Sequence, residues 1–248
     1  MIKVKQNKYD DDVFFDKYSN MSRSKNGLEG AGEWHELKKM LPNFKDKRVL
    51  DLGCGFGWHC RYAVENGAKS VIGIDISQKM LSEAKNKTKC GNIEYICMPI
   101  EDIDFPEESF EVVISSLALH YIKSFEDVLD RVYKCLSTGG DFVFSVEHPI
   151  FTAQGPQDWY YDDKGNILHW PVDHYFTEGI RNAKFLGEEV IKYHRTLTTY
   201  LNSLIRKGFE ITGVVEPKPE KNMLNTVSGM LDELRRPMML LVSARKRL

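Results

Sequence analysis

Asp51-Leu52-Gly53-Cys54-Gly55-Phe56-Gly57 places a carboxylate and three alternate glycines at the end of a short apolar run, Arg48 to Leu52. Glycines at these positions let a ligand approach the backbone without meeting a Cβ. The amides at the start of the helix that follows, from Trp58, would face that ligand. A second apolar run, Ser70 to Asp75, ends in an acid 20 residues after Gly55. A carboxylate there can accept two hydrogen bonds from ribose hydroxyls. Glycine turn and acid at this distance imply a nucleoside-containing ligand.

The same residues constrain the charge of that ligand. Dinucleotide sites favour G-x-G-x-x-G, and here Trp58 stands at the third position of that pattern. Asp51, two residues before the first glycine, would repel a pyrophosphate and attract an ammonium. A ribose and a positive charge therefore fit better than a diphosphate, which disfavours a nicotinamide-dependent oxidoreductase.

Strand–helix alternation positions these groups. Arg48 to Leu52, Ser70 to Asp75, Ile93 to Cys97, Phe110 to Ser115 and Asp141 to Val146 read as strands. Trp58 to Asn66, the stretch capped by Ser77, and Phe125 to Leu136 read as helices between them. This rhythm predicts a parallel sheet with helices on both faces. Glu33 to Leu41 is helical up to Pro42, and Ser19 to Gly32 reads as a loop or mobile arm. Thr196 to Lys207 forms a further helix stopped by Gly208. Two last strands, Phe209 to Val215 and Pro237 to Ala244, have no convincing helix between them, so the final one is expected to be antiparallel. Between His148 and about Leu186 the rhythm breaks into an aromatic-rich insertion expected to cap the sheet's carboxyl edge.

The four motifs, in this order, resemble the class I S-adenosylmethionine-dependent methyltransferases, and the match extends over about residues 45–147. The loop Asp51 to Gly57 matches the family's first motif, and Asp75 in Gly73-Ile74-Asp75-Ile76-Ser77 matches its ribose-binding acid. Met98 to Asp102 matches the adenine-contacting stretch, and Glu107 to Ile122 matches the fourth strand and the loop after it. Pro99 stands where many members carry Asp. The resemblance implies an α/β, Rossmann-like fold: a seven-stranded, mostly parallel sheet with an antiparallel last strand and helices on both faces, plus an aromatic cap insertion. It implies S-adenosylmethionine as cofactor and S-adenosylhomocysteine as product. It implies that Gly53, Cys54, Gly55 and Phe56 line the methionine and sulfonium portion, with Asp51 holding the ammonium directly or through water. Asp75 would bind the ribose, Ile76, Met80, Ile100 and Glu101 would flank the adenine, and Ser116 and Leu117 would face the methionine moiety.

Methyl transfer requires a base only when the acceptor must lose a proton. His120 and His148 follow the fourth and fifth strands at the edge where ligands sit, and are the candidate bases. His120 also reads as a structural or cofactor-shell histidine. Trp170 and Tyr175 of the insertion, with Tyr18 and Arg23 of the arm, are the candidate acceptor contacts. His169 and His174 with Asp173 do not make a metal site. The chain is expected to divide into residues 1–44, an arm and helix that lid the cofactor, and 45–248, the methyltransferase domain, with 148–190 as the substrate cap.

Composition narrows the acceptor. The 248 residues carry 34 Lys and Arg against 36 Asp and Glu, with 42% hydrophobic residues. A net charge of −2 gives no footprint for a nucleic-acid backbone. The Asn/Asp-Pro-Pro-Tyr/Phe motif of DNA amino-methylating relatives is replaced by Ser115-Ser116-Leu117-Ala118. No DNA acceptor is expected. A small molecule is, in the manner of the ubiquinone- and menaquinone-biosynthesis-like branch; the alternatives are an RNA or protein acceptor, or a non-catalytic cofactor binder. Five cysteines without metal or disulfide spacing point to a reduced, cytoplasmic setting. No apolar run approaches the roughly 20 residues of a membrane span, and a monomer or homodimer is expected.

Overall fold

A computed structural model describes residues 5–247; residues 1–4 of the expected arm and Leu248 of the expected domain lie outside the described residues. The chain opens with α1 (Asp12–Ser19), α2 (Ser22–Lys25), a 3-10 turn at Gly27–Gly30, and α3 (Trp34–Met40). The alternating part follows as β1 (Arg48–Leu52), α4 (Trp58–Glu65), β2 (Ser70–Asp75), α5 (Gln78–Lys87), β3 (Ile93–Cys97), β4 (Phe110–Ser116), α6 (Phe125–Cys135) and β5 (Leu136–Glu147). Next come α7 (Pro149–Thr152) and two hairpins, β6 (Tyr160–Tyr161) with β7 (Ile167–His169) and β8 (Gly179–Phe185) with β9 (Glu188–His194). The chain ends with α8 (Leu197–Lys207), β10 (Phe209–Val215), α9 (Lys221–Thr226) and β11 (Met239–Lys246).

Seven strands form one sheet in the order β10-β11-β5-β4-β1-β2-β3. β11 is antiparallel to β10 and β5, and the pairs from β5 to β3 are parallel. This is the Rossmann-like arrangement the sequence predicts. β1 reads as an unbroken buried run from Val49 to Leu52 because helices cover both faces. On one face α6 and α8 bury Val128, Leu129, Val132, Tyr200 and Leu204 against the sheet. On the other, α4 and α5 bury Cys60, Ala63, Leu81 and Ala84, and α3 sets Trp34 and Leu37 on Val143 and Leu241. Each large apolar side chain so buried contributes about 1.5–3 kcal/mol. Ser77 caps α5 as expected, its Oγ accepting from the Met80 amide at 3.1 Å.

Three segments differ from the sequence reading. Ser19 to Gly32 is not a loose leader: α2 and the 3-10 turn occupy it, and Ser24 and Gly27 are buried. The cause is long-range packing. Asp11 caps α1, and Phe14 is buried with Ala183 and Val190 of the β8–β9 hairpin. Asp10 accepts from the Ser77 hydroxyl at 2.6 Å and the Lys79 amide at 3.1 Å, tying the arm to α5. The side-chain amide of Gln6 both accepts from the Ile191 N–H (2.7 Å) and donates to its carbonyl (3.2 Å), covering part of the open edge of β9. The insertion also runs past 190, since β9 pairs with β8 as far as His194. β5 starts at Leu136, five residues early, because its first residue pairs with Phe110 across a bulge. Among the described residues no helix is long and apolar enough to cross a membrane.

Candidate active site

The strand order turns back between β1 and β4, and ligands of open α/β sheets sit at that switch point beyond the carboxyl ends. A cavity of about 920 Å³ opens there. Single small-molecule sites span about 300–1,000 Å³, so this one has room for a nucleoside cofactor and a second molecule together. Its floor is the sheet edge. Its roof comes from the arm, the β8–β9 hairpin, and the segment 216–238 that links β10 to β11.

Gly53, Cys54, Gly55 and Phe56 line the cavity, with Asp75, Ile76, Met80, Ile100 and Glu101, and with Ser116 and Leu117 from the end of the neighbouring strand β4. The loop is shaped by positive φ. Gly55, at φ +52°, has nothing within 4 Å of where a Cβ would be, so the space beside it belongs to the cavity. Gly57, at φ +70°, is fixed by the protein itself, because a Cβ would stand 2.2 Å from the Tyr95 hydroxyl. Leu117 holds φ +52° without being glycine, its N–H shared between the Ser145 carbonyl (2.9 Å) and hydroxyl (3.1 Å).

Asp75 is 9% exposed. Its carboxylate accepts from the Gly55 amide (Oδ2) and the Ser77 amide (Oδ1), each at 2.9 Å. Burial outweighs these bonds and pushes its pKa up to about 6. Asp51 does not reach the cavity wall. It sits behind the loop, accepting from the Cys60 thiol at 3.2 Å, while its Oδ1 is buried without a partner. Burial raises its pKa to about 7. Of the two expected ways for Asp51 to hold a ligand ammonium, directly or through water, this placement behind the loop leaves the direct one without a side-chain oxygen on the cavity wall.

The two histidines separate. His120 lines the cavity, buried, with Nδ1 accepting a long 3.4 Å bond from the Glu147 amide. Burial lowers its pKa to about 4, so the ring is neutral, and that bond assigns its proton to Nε2. His148 is off the wall. Its Nδ1 caps α7 by accepting from Ile150 (3.0 Å), and its Nε2 meets Glu216 at 2.8 Å. Along β5 adjacent side chains alternate in direction, and it is Glu147 that faces the cavity. His148 as a base is a correction on that ground.

Tyr18 and Arg23 line the cavity from the arm, where Arg23 pairs with the buried Glu33 at 2.7 Å. Trp170 and Tyr175 do not line it. Trp170 stacks on Phe151 (centroids 5.0 Å apart) and, with Trp159, forms a box around the Arg236 guanidinium, which lies 4.0 Å from the Trp170 ring. Desolvated cation–π contacts of this kind are worth about 2 kcal/mol each. Tyr175 accepts from the Leu197 amide at 3.1 Å and so fixes the start of α8. Trp159 and Trp170 thus clamp the segment 216–238 rather than line the cavity, whereas Phe151 touches Arg236 and also lines the cavity.

The sequence reading missed a closed ring of polar groups on the cap side, buried at Lys192 and half-buried at Glu147 and Gln157. Lys192 of β9 donates to Glu147 (2.6 Å) and to the Gln157 carbonyl oxygen (2.7 Å), and Gln157 donates to the other Glu147 oxygen (2.8 Å). Burial raises Glu147, but His120, Lys192 and Gln157 outweigh it and hold it below the usual carboxylate range. Lys192 is 2% exposed, and all three residues line the cavity. The one signal in the sequence was a lysine at an inward position of an alternating strand.

A methyltransferase-domain model matches residues 50–144. A solved structure from Listeria monocytogenes, described as a S-adenosylmethionine-dependent methyltransferase, is 58% identical, covering 90% of this chain and 100% of that one with a TM-score of 0.85. The chain belongs to the S-adenosylmethionine-dependent methyltransferases. A second structure of the class, from Mesorhizobium loti, is 45% identical over 88% of this chain and 100% of its own, with a TM-score of 0.82. A Haemophilus influenzae protein without an assigned function is 36% identical over 96% of both chains. Relatives with named acceptors, among them a tRNA U34 carboxymethyltransferase of Hahella chejuensis and a protein arginine N-methyltransferase of Dictyostelium discoideum, are matched over less than half of their length. The cofactor of this methyltransferase is S-adenosylmethionine, and the wall fits it. Gly55 leaves a cradle that any side chain would fill, and behind the loop the orphaned Asp51 oxygen supplies negative charge.

Proposed function

We propose that this methyltransferase acts on a small-molecule acceptor held in the roofed half of the cavity. The observation that carries this reading is the lining: beside the cofactor wall, the β8–β9 hairpin and the segment 216–238 border a chamber with Met223, Met230, Met238, Met239 and Phe151 on its wall. Such a chamber takes in a free molecule more readily than a nucleotide within a folded RNA or a side chain on a protein surface. The net charge of −2 agrees with this.

When bound, the cofactor supplies an electrophilic methyl group on a positive sulfur. The chain's own residues bind, align and keep dry. Gly53 to Phe56 take the methionine portion, and the backbone at Ser116 and Leu117 faces it. Asp75 keeps a free lone pair on each oxygen for the ribose hydroxyls. Ile76, Met80, Ile100 and Glu101 enclose the adenine. The described part of the arm, residues 5–44, closes over the cofactor through Tyr18 and Arg23.

The test is incubation of the purified chain with S-adenosylmethionine and, separately, a fractionated metabolite extract, total RNA and total protein. S-adenosylhomocysteine should form with a metabolite fraction that gains one methylene in mass. Formation only with RNA or protein would overturn the reading.

A further inference from the structure

The Lys192–Glu147–Gln157 ring lies outside the stretches assigned to the cofactor, yet it is charged, lines the cavity and has a buried lysine at its centre. Its hydrogen-bond ledger is uneven. Each Glu147 oxygen and the Gln157 carbonyl oxygen already holds a donor. Lys192 has three N–H groups and spends two on them. His120 beside it keeps its Nε2–H, which has no partner among the described residues. Two spare donors therefore converge on the same wall. The charges there point the same way. Lys123 and Lys184 also line the cavity, whereas Glu147 and Glu233 are each paired with a buried cation, Lys192 and Arg236. Further out the wall turns apolar and soft, with Phe151, Met223, Met230 and Met239, and thioether side chains accommodate variable shapes.

Resting on the small-molecule reading above, we propose that the Lys192–Glu147–Gln157 ring, with His120, recognises an oxyanion head on an acceptor whose apolar body occupies the methionine-lined chamber. The head is a carboxylate or the conjugate base of an acidic enol; the shared chemistry is a negatively charged oxygen that accepts from Lys192. Among the lining carboxylates Glu33, Glu147 and Glu233 are each ion-paired, and Asp75 and Glu101 lie in the stretch assigned to the cofactor, so a cationic amine in the chamber would meet Lys123, Lys184 and Lys192. An acceptor that arrives ionised has no proton to lose. The site then needs no general base, in keeping with a His120 that presents a proton and a His148 turned away.

The experiment is calorimetric titration of the full chain saturated with S-adenosylhomocysteine. The probes are octanoate, the enolate of 2-hexyl-1,3-cyclohexanedione, 1-octanol and octyltrimethylammonium. One or both anions should bind about tenfold or more tighter than octanol, as a charge-assisted hydrogen bond requires, and which anion does so separates carboxylate from enolate. Lys192→Met leaves Glu147 buried and unpaired, which endangers folding. The Lys192→Met/Glu147→Gln double variant removes both charges and should erase the anion preference, while Lys192→Arg should keep part of it. Octanol or the ammonium binding as tightly as the anions, or an anion preference that survives the double variant, overturns the proposal. Methyl transfer only to RNA or protein would instead strike the small-molecule reading, so the two failures are distinguishable.

Discussion

Gly55 donates its backbone N–H to the Asp75 carboxylate at 2.9 Å, joining the glycine turn after β1 to the acid that ends β2. The acid thus sets the loop and faces the cavity at once. Asp75→Ala should weaken S-adenosylhomocysteine binding by about 1.5–3 kcal/mol, the cost of leaving buried partners unsatisfied. Calorimetry checks this, and an unchanged dissociation constant would remove Asp75 from the site.

The glycines of the loop should part company on substitution. At Gly55, φ +52°, a Cβ meets nothing within 4 Å, so Gly55→Ala costs only the left-handed strain of about 1–2 kcal/mol and intrudes on ligand space. At Gly57 the Tyr95 hydroxyl blocks a Cβ at 2.2 Å. Gly55→Ala should therefore fold and lose cofactor affinity, and Gly57→Ala should lose thermal stability. Parallel melting curves and titrations decide; the opposite pattern would mean that Gly57, not Gly55, borders the ligand.

Burial holds Asp75 at about 6 and Asp51 at about 7, both above the unfolded carboxylate range of about 4. The folded chain keeps protons that the unfolded chain has released. Stability from these groups is fully present below pH 4 or so and is lost as pH rises through 6 to 7. A cationic ligand that favours the ionised acids should show the reverse slope, binding more tightly at pH 8 than at pH 5.5. Melting temperatures with and without S-adenosylmethionine across that range test both signs. Asp51→Asn should flatten part of the apo slope, and a slope of equal size in that variant would exclude Asp51 as its source.

His148 caps α7 and meets Glu216, so its loss is expected to be structural. His148→Ala should cost about 1 kcal/mol of stability, as lost caps do, with little change in turnover per folded molecule. A collapse of turnover at unchanged stability would restore it as a base.

The Arg236 box should govern access to the acceptor chamber. Arg236→Ala frees the segment 216–238 from Phe151, Trp159 and Trp170. Limited proteolysis should then cut within that segment, while S-adenosylhomocysteine affinity stays as it was. Protection equal to that of the parent chain would show that the box is not the clamp.

What could be read in advance was whatever one stretch of chain declares by itself. β1 and β2 fall where the apolar runs and the glycine turn place them, because parallel strands covered on both faces write their burial into consecutive residues, while β3, at the sheet edge, is legible from its apolar residues and spacing alone. Gly53 to Phe56 and Asp75 reach the same wall for that reason. Lys192 was invisible, since its partners Glu147 and Gln157 arrive from other elements and each alone reads as a surface residue. Trp170 looked like a ligand contact because the sequence does not show the Arg236 that fills its box. Phe14 has no partner in the sequence of the arm itself, since Ala183 and Val190 come from a distant hairpin.

The doubled hydrogen bond between Gln6 and Ile191 joins residues 185 positions apart. With Phe14 buried against Ala183 and Val190, it seats the arm on the β8–β9 hairpin. The two parts of the chain that flank the cavity thereby bear on each other, and whatever displaces the hairpin must also work against the arm.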